Sequence, residues 1–547
     1  MSWQPRLNKF GGWGSPGDSV NADEAALLAV LAREQFGVTD PPRSAVSADA
    51  VVLPVPRVHP PSSLRAVTTD RQVDRLAHAS GKSFPDLARA RGGHVDQAPD
   101  LVAYPVTEGD LCDLLDWAAE KSIAVVPYGG GSSVVGGVTP DVGPGFRGSL
   151  SLDLQRLDRV LELDPVSRAA RVQAGVLGPD LARQLKSSGL ALRHYPQSYQ
   201  YSSLGGWIAT RAGGHYATGP THIDDFVEAL RVVSPAGAWQ TRRLPASGAG
   251  PDPNRLLLGS EGTLGIITEA WMRLQPRPQF RAGATVRFES LPAGVAAVRD
   301  IVHAGLNPAN LRLLDRVEAR NALVADGTSE VLVIGFESAD HDVSVALARA
   351  VECARDHGGV ADAPLGAAAE VSAPIGAGSA PAARSAGRSE SAQVWRDAFL
   401  RMPYYRDELL GYGIISETFE TAVTWDRFEE LHAAVTTAVT STLAAERLAP
   451  AAVSCRFTHV YPDGVAPYFT VLARGTHGDL DRQWWVVKQA ASDAIMAAGG
   501  TITHHHGVGR DHVRWYRQER PDLFAAALAG ARRELDPAGV MNPGVLG

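Results

Sequence analysis

The chain has 547 residues, with 52 Lys+Arg against 60 Asp+Glu for a formal net charge of -8, and 45% of its residues are hydrophobic. A chain of this size and apolar content builds its cores without disulfide or metal staples, and the composition excludes collagen, coiled coil and wholesale disorder. The acidic balance and the lack of a basic run argue against a nucleic-acid partner. Arg supplies all but five of the basic residues (Lys9, Lys82, Lys121, Lys186 and Lys488 are the exceptions), which reads as genome base composition. Cys112, Cys353 and Cys455 are far apart and form no CxxC pair, so a reducing compartment is expected. The N-terminus lacks an apolar h-region, and no stretch approaches the ~20 apolar residues of a membrane span.

Residues 1–96 are expected to be mostly helical, with helix-like stretches at Ala22–Gln35 and Ser62–Ala79 between Pro-rich connectors. From Asp100 the texture changes. Leu101–Pro105 reads as a strand, Glu108–Lys121 carries helical apolar spacing, and Ile123–Pro127 is a β-branched strand. It runs straight into Tyr128-Gly-Gly-Gly-Ser-Ser-Val-Val-Gly-Gly137. Short strands follow at Gly148–Leu154, Ala169–Gly175 and Leu264–Thr268, and Pro276-Arg-Pro278 marks a boundary. Beyond it, strands Ala282–Phe288 and Val331–Phe336 alternate with helices Pro292–His303 and Val343–Asp356, the pattern of an α+β domain. Residues 361–393 are nearly all Ala, Gly, Ser and Pro, which fits a mobile loop or lid and equally an insertion without a role.

A glycine-rich turn after a strand lets backbone N–H groups approach a phosphate, because no Cβ intervenes. Gly129-Gly130-Gly131-Ser132-Ser133 fits that physics but is neither a Walker A loop nor GxGxxG opening a helix. Three segments taken together are more specific: Pro127-Tyr-Gly-Gly-Gly-Ser-Ser133, Ser203-Leu-Gly-Gly-Trp-Ile-Ala-Thr-Arg211 and Gly259-Ser-Glu-Gly-Thr-Leu-Gly-Ile-Ile-Thr268. With Leu535-Asp-Pro-Ala-Gly-Val-Met-Asn-Pro-Gly544, they resemble the vanillyl-alcohol-oxidase/PCMH superfamily of FAD enzymes. The resemblance implies an α+β fold: a PCMH-type FAD-binding domain of two subdomains, with an α+β cap domain over the flavin. It divides the chain into the N-terminal region 1–96, the FAD domain 97–278, the cap 279–520 and a segment 521–547 returning to the FAD domain. It also implies a flavin lining of Pro127, Gly129, Gly130, Gly131, Ser132, Ser133, Gly137, Gln197, Ser203, Gly205, Gly206, Thr210, Glu261, Gly262, Gly265 and Ile267. Some members tether FAD through a histidine in the glycine loop; this loop has none, so non-covalent FAD is expected.

Two branches of the superfamily compete. The D-2-hydroxyacid dehydrogenases carry Gly-His-x-Gly-Asp-Gly-Asn-x-His and, later, Glu-His-Gly, and many hold a divalent metal. Here the matching stretches are Thr458-His-Val-Tyr-Pro-Asp-Gly-Val-Ala-Pro-Tyr468 and His504-His-His-Gly-Val-Gly509: Tyr468 stands near the missing histidine, and His505 replaces the glutamate. No metal is therefore expected. His194-Tyr-Pro-Gln-Ser-Tyr-Gln-Tyr-Ser-Ser-Leu-Gly-Gly-Trp207, Asn310-Leu-Arg-Leu-Leu-Asp315 and Ser416-Glu-Thr-Phe-Glu-Thr-Ala-Val-Thr-Trp-Asp426 instead resemble the alkyl-dihydroxyacetone-phosphate synthases. That family replaces the acyl chain of acyl-dihydroxyacetone phosphate with a fatty alcohol through a flavin N5 adduct. The resemblance implies Tyr468, His504, His505, His506 and Arg406 as catalytic, and Arg312, Arg406 and His194 as substrate-binding. It also implies a homodimer with peripheral membrane contact, while the composition suggests a bacterial cytoplasm.

Each residue also has a plainer reading. Tyr468 lies in an apolar strand and fits a core position, and Arg312 fits a pair with Asp315. If 500–506 is a strand, His504 and His506 share a face and His505 points away. Two histidines at i, i+2 hold zinc only with a further ligand, which the spacing does not reveal. Glu420 and Asp426 read as ordinary surface and helix-start acids.

Overall fold

The computed structural model describes residues 3–322, 324–362 and 390–547, so most of the expected loop at 361–393 lies outside the described residues. Leu101–Ala103, Gly148–Asp153 and Ile123–Tyr128 form a parallel core, with Thr68–Thr69 antiparallel on one edge. The central strand is buried along its whole length, as a parallel strand covered on both faces must be. The crossover is the helix Glu108–Lys121. Thr107 and Asp110 make a reciprocal capping box at its start, and Leu111, Leu114, Leu115, Trp117 and Ala118 bury one face. A five-stranded antiparallel sheet follows, with Ile266–Arg273 at its centre. The far C-terminus completes this half: Val125 N–H donates to Val540 O and Asn542 N–H to Val125 O, both at 2.8 Å, and Val540 and Met541 join the core.

The second half is an eight-stranded antiparallel sheet. Helices Leu291–His303, Ser344–Asp356, Phe428–Ala445 and Leu480–Ala497 share one apolar core with it. The pleat decides what faces the site. Leu311, Leu313, Cys455, Phe457, Phe419, Phe469 and Val471 enter that core, which turns Arg312, Arg456, Glu420 and Tyr468 to the opposite face. A register shift between Phe457 and His459 inserts one residue, so His459 opposes Ala466 and rejoins the face of Arg456 and Tyr468. Simple alternation would have sent His459 into the core with Phe457.

Residues 1–96 are less helical than expected. Helices cover Ala22–Phe36, Gln72–Ala77 and Phe84–Arg91, and the Pro-rich connectors between them are non-helical. The stretch expected as one helix from Ser62 to Ala79 breaks because Thr68 and Thr69 pair with Ala103 and Val102. The first residues thread between the two halves: Asn8 Nδ2 donates to Gly130 O at 3.0 Å, and Trp13 N–H to Asp407 Oδ2 at 2.6 Å.

Candidate active site

The glycine loop follows directly from the strand Ile123–Tyr128. A Cβ on Gly130 would lie 1.7 Å from Tyr201 O, so this position admits no side chain. Gly131 adopts φ +66°, the left-handed region that favours glycine. The glycines thus serve close approach of the loop to residues 201–203 as well as to a ligand. Ser133 Oγ accepts Gly137 N–H at 2.9 Å and braces the turn from inside. The backbone N–H groups of residues 129–134 find no acceptor among the described residues. A half-buried run of unused donors on a glycine turn fits the pyrophosphate of FAD.

Ser203 and Gly206 lie against Gly129 of this turn. Ser203 caps the helix Leu204–Thr210, where Gly205 and Gly206 begin and Thr210 ends, and Gln197 lies in the loop before it. Gly262 packs on the ring of Pro127, and Gly265 precedes Ile267, which pairs with Val232. The Glu261 carboxylate lies beside Gly137 and accepts the N–H groups of Val508 and Gly509 at 2.6 and 2.8 Å, and burial pushes its pKa up to about 7.

Residues 503–509 are irregular, not a strand, and this removes the expected separation of His505 from its neighbours. Glu420, read from sequence as a surface acid, is 4% exposed and its carboxylate is what shapes this loop. It accepts the N–H groups of His504, His505 (3.1 Å) and His506 (2.8 Å) and the hydroxyl of Thr503 (2.6 Å). Glu261 holds the other end. One carboxylate from each half of the molecule therefore pins the triple-histidine loop between them. The loop's tail also meets the glycine loop, since Arg510 N–H donates to Val135 O at 2.8 Å.

With the loop bent this way, imidazoles converge. His504 Nδ1 lies 3.0 Å from His505 Nδ1, and His504 Nε2 lies 2.8 Å from Tyr461 Oη and 3.1 Å from His222 Nε2. His459 hydrogen-bonds Gly214 O through Nε2 at 3.0 Å, while its buried Nδ1 has no partner among the described residues. Ligand atoms of His459, His504 and His505 all lie within 4.8 Å of one another, a third nitrogen donor that the spacing alone did not reveal. Burial, reinforced by mutual repulsion, keeps these rings neutral: His505 falls to about 3, and His459 and His504 lie well below the usual imidazole range. His506 is likewise lowered to about 3, although Glu420 opposes the shift.

Tyr468 lies between two neighbours on adjacent strands, paired with Glu420 on one side and Arg456 on the other. Its ring stacks on His505 with centroids 6.2 Å apart, and the Arg456 guanidinium lies 3.9 Å over its face. Burial pushes the phenol pKa up, and Arg456 pulls it back. The positive charge beside the phenol comes from Arg456, one Arg among 47 with no distinguishing mark in the sequence. Arg456 is itself ion-paired with buried Glu318.

Arg312 is 1% exposed, donates to His215 O at 2.7 Å, and is lowered to about 9 by burial and by Arg456. Asp315, the expected partner of Arg312, instead caps the next helix through Glu318 N–H and accepts Cys455 N–H. Arg406 donates to Lys82 O, has a buried Nε with no partner among the described residues, and its charge reaches His506. His194 is 2% exposed against Trp207 and Phe226; neither ring nitrogen has a partner among the described residues, and burial lowers its pKa to about 3.

Two family models match: "FAD binding domain" over residues 99–242 and "FAD linked oxidases, C-terminal domain" over 277–546. The cofactor is FAD. The chain is 30% identical to the alkyldihydroxyacetonephosphate synthase of Trypanosoma brucei brucei over 98% of this chain and 92% of the relative. It is also 30% identical to that of Dictyostelium discoideum over 87% of this chain and 77% of the relative. A solved structure titled alkyldihydroxyacetonephosphate synthase shares the fold at TM-score 0.78, with 23% identity and 98% of each chain covered. Among the described residues no helix is long and apolar enough to cross a membrane. The chain belongs to the alkyldihydroxyacetonephosphate synthase family of FAD-linked enzymes.

Proposed function

We propose that this enzyme exchanges the acyl chain of acyl-dihydroxyacetone phosphate for a fatty alcohol, the committed step toward an ether lipid, with FAD held non-covalently. One observation carries the choice over oxidation of a 2-hydroxy acid. The groups facing Tyr468 are uncharged imidazoles and an arginine, and the nearest carboxylate, Glu420, is spent on backbone N–H groups.

When bound, the flavin supplies a nucleophilic ring nitrogen and takes no net electrons from this exchange. The chain's own residues do the rest. The N–H groups of residues 129–134 cradle the pyrophosphate. Tyr468 holds or moves a proton at substrate C1, with Arg456 favouring the phenolate that burial opposes. Arg406 and Arg312 are assigned to the substrate phosphate and the departing carboxylate, because a guanidinium grips two oxygens at once. His194 offers two unused ring nitrogens to the substrate. Tyr468, Arg312 and His459 are all buried, which keeps bulk water, and hence hydrolysis of the ester, away from them.

The test uses labelled hexadecanol and acyl-dihydroxyacetone phosphate with FAD-loaded protein. Label enters the ether product in wild type and is lost at least 100-fold in Tyr468→Phe at unchanged flavin content. Rapid anaerobic bleaching of the flavin by a D-2-hydroxy acid, without label exchange, refutes this reading.

A further inference from the structure

Acyl exchange has a proton balance. The alcohol O–H bond breaks as its oxygen bonds to C1, and the C1–O bond to the acyl group breaks with its electron pair leaving on the carboxylate. The acid stays ionised near neutral pH, so each turnover leaves one proton behind. That proton has to cross buried protein.

One hydrogen-bonded run of exchangeable groups leads outward from His505, beside Tyr468. His505, stacked on the Tyr468 ring, reaches His504 through Nδ1 to Nδ1 at 3.0 Å. His504 Nε2 reaches Tyr461 Oη at 2.8 Å, and Tyr461 Oη reaches Thr221 Oγ1 at 3.2 Å. Tyr461 lines a cleft of about 430 Å³ together with Asp463, Thr501 and Glu519. Thr221 N–H donates at 3.0 Å to Asp225, which is exposed. His222, 3.1 Å from the same His504 nitrogen, is a side branch. Each neutral imidazole donates through one nitrogen and accepts through the other, which is what a hand-to-hand transfer needs. The loop does not need these side-chain bonds for its shape, because Glu420 and Glu261 already hold its backbone.

We propose that His505, His504 and Tyr461 form the route by which the reaction proton leaves the site for the cleft at Tyr461. This rests on the acyl-exchange reading, so the experiment has one arm without substrate. In FAD-loaded protein with ¹⁵N-labelled histidine, transferred to D₂O, the ring N–H signals of His504 and His505 exchange at least 10-fold more slowly in Tyr461→Phe than in wild type. The His505 signal is slowed likewise in His504→Gln, whose amide keeps a donor and an acceptor but does not pass a proton on. In turnover, both variants lower kcat about 10-fold at unchanged KM, enlarge the solvent deuterium isotope effect, and Tyr461→His recovers most of the rate. Ring-proton exchange at the wild-type rate in both variants overturns the route. Slowed exchange in a protein that transfers no labelled alcohol upholds the route and overturns the acyl-exchange reading alone. A kcat loss with no change in isotope effect and no recovery in Tyr461→His assigns Tyr461 to structure and overturns the proposal.

Discussion

Glu420→Gln is the sharpest perturbation of the site. One carboxylate serves three backbone N–H groups and one hydroxyl, with Oε1 accepting from His506 and Thr503 and Oε2 from His504 and His505. The amide keeps one acceptor oxygen and turns an NH₂ toward the other two donors. About two charge-assisted bonds are lost, at roughly 1.5 kcal/mol each, and two buried N–H groups are left facing another donor. The expected cost is about 3 kcal/mol. It falls on the triple-histidine loop first, because Glu261 still holds residues 508 and 509. Urea unfolding followed by flavin fluorescence reads the global part, and amide hydrogen exchange at residues 504–506 reads the local part. Protection at those amides is expected to drop by about a hundredfold, with flavin content nearly intact and label transfer reduced at least 10-fold. Wild-type protection and wild-type transfer in Glu420→Gln refute the clamp.

Gly130→Ala is expected to yield protein with less than a tenth of the normal flavin absorbance, since its Cβ would sit 1.7 Å from Tyr201 O; full flavin content refutes the cradle. His194→Phe tests a linkage sign. The ring is held near 3 when folded against about 6.5 when unfolded, so falling pH protonates only the unfolded chain and removes stability between those values. The variant is therefore expected to gain about 2 kcal/mol at pH 5 and little at pH 7.5, read by urea midpoints at both, while label transfer falls. Glu318→Ala leaves Arg456 without its buried carboxylate and is expected to cost about 3–5 kcal/mol; Glu318→Met with Arg456→Met recovers much of the stability but not the activity.

The parts of the site that the sequence exposes are those whose chemistry is local. A glycine run after a β-branched strand, a tyrosine in an apolar strand and three adjacent histidines are visible in short windows. Glu420 looks like any acid after an aromatic, and only the cross-strand pairing with Tyr468 brings it beneath a loop more than 80 residues later. Arg456 carries no mark that separates it from the other arginines until the pleat sets it over Tyr468. His459 defeats alternation outright, because the inserted residue after Phe457 reverses its face and has no sequence signature. The N-terminal helix expected over Ser62–Ala79 fails for a related reason: two threonines gain more by extending a sheet than by continuing a helix.

The strap formed by Val540 to Asn542 on Val125 sets an order for biosynthesis. The strand Ile123–Tyr128, which aims the glycine loop, is flanked on one side by chain that is translated more than 400 residues later. A nascent chain emerging from the ribosome holds the first half with that edge open until residues 540–542 have been made. A chain stalled or clipped before residue 540 lacks the two backbone hydrogen bonds at Val125 and leaves that strand edge unpaired.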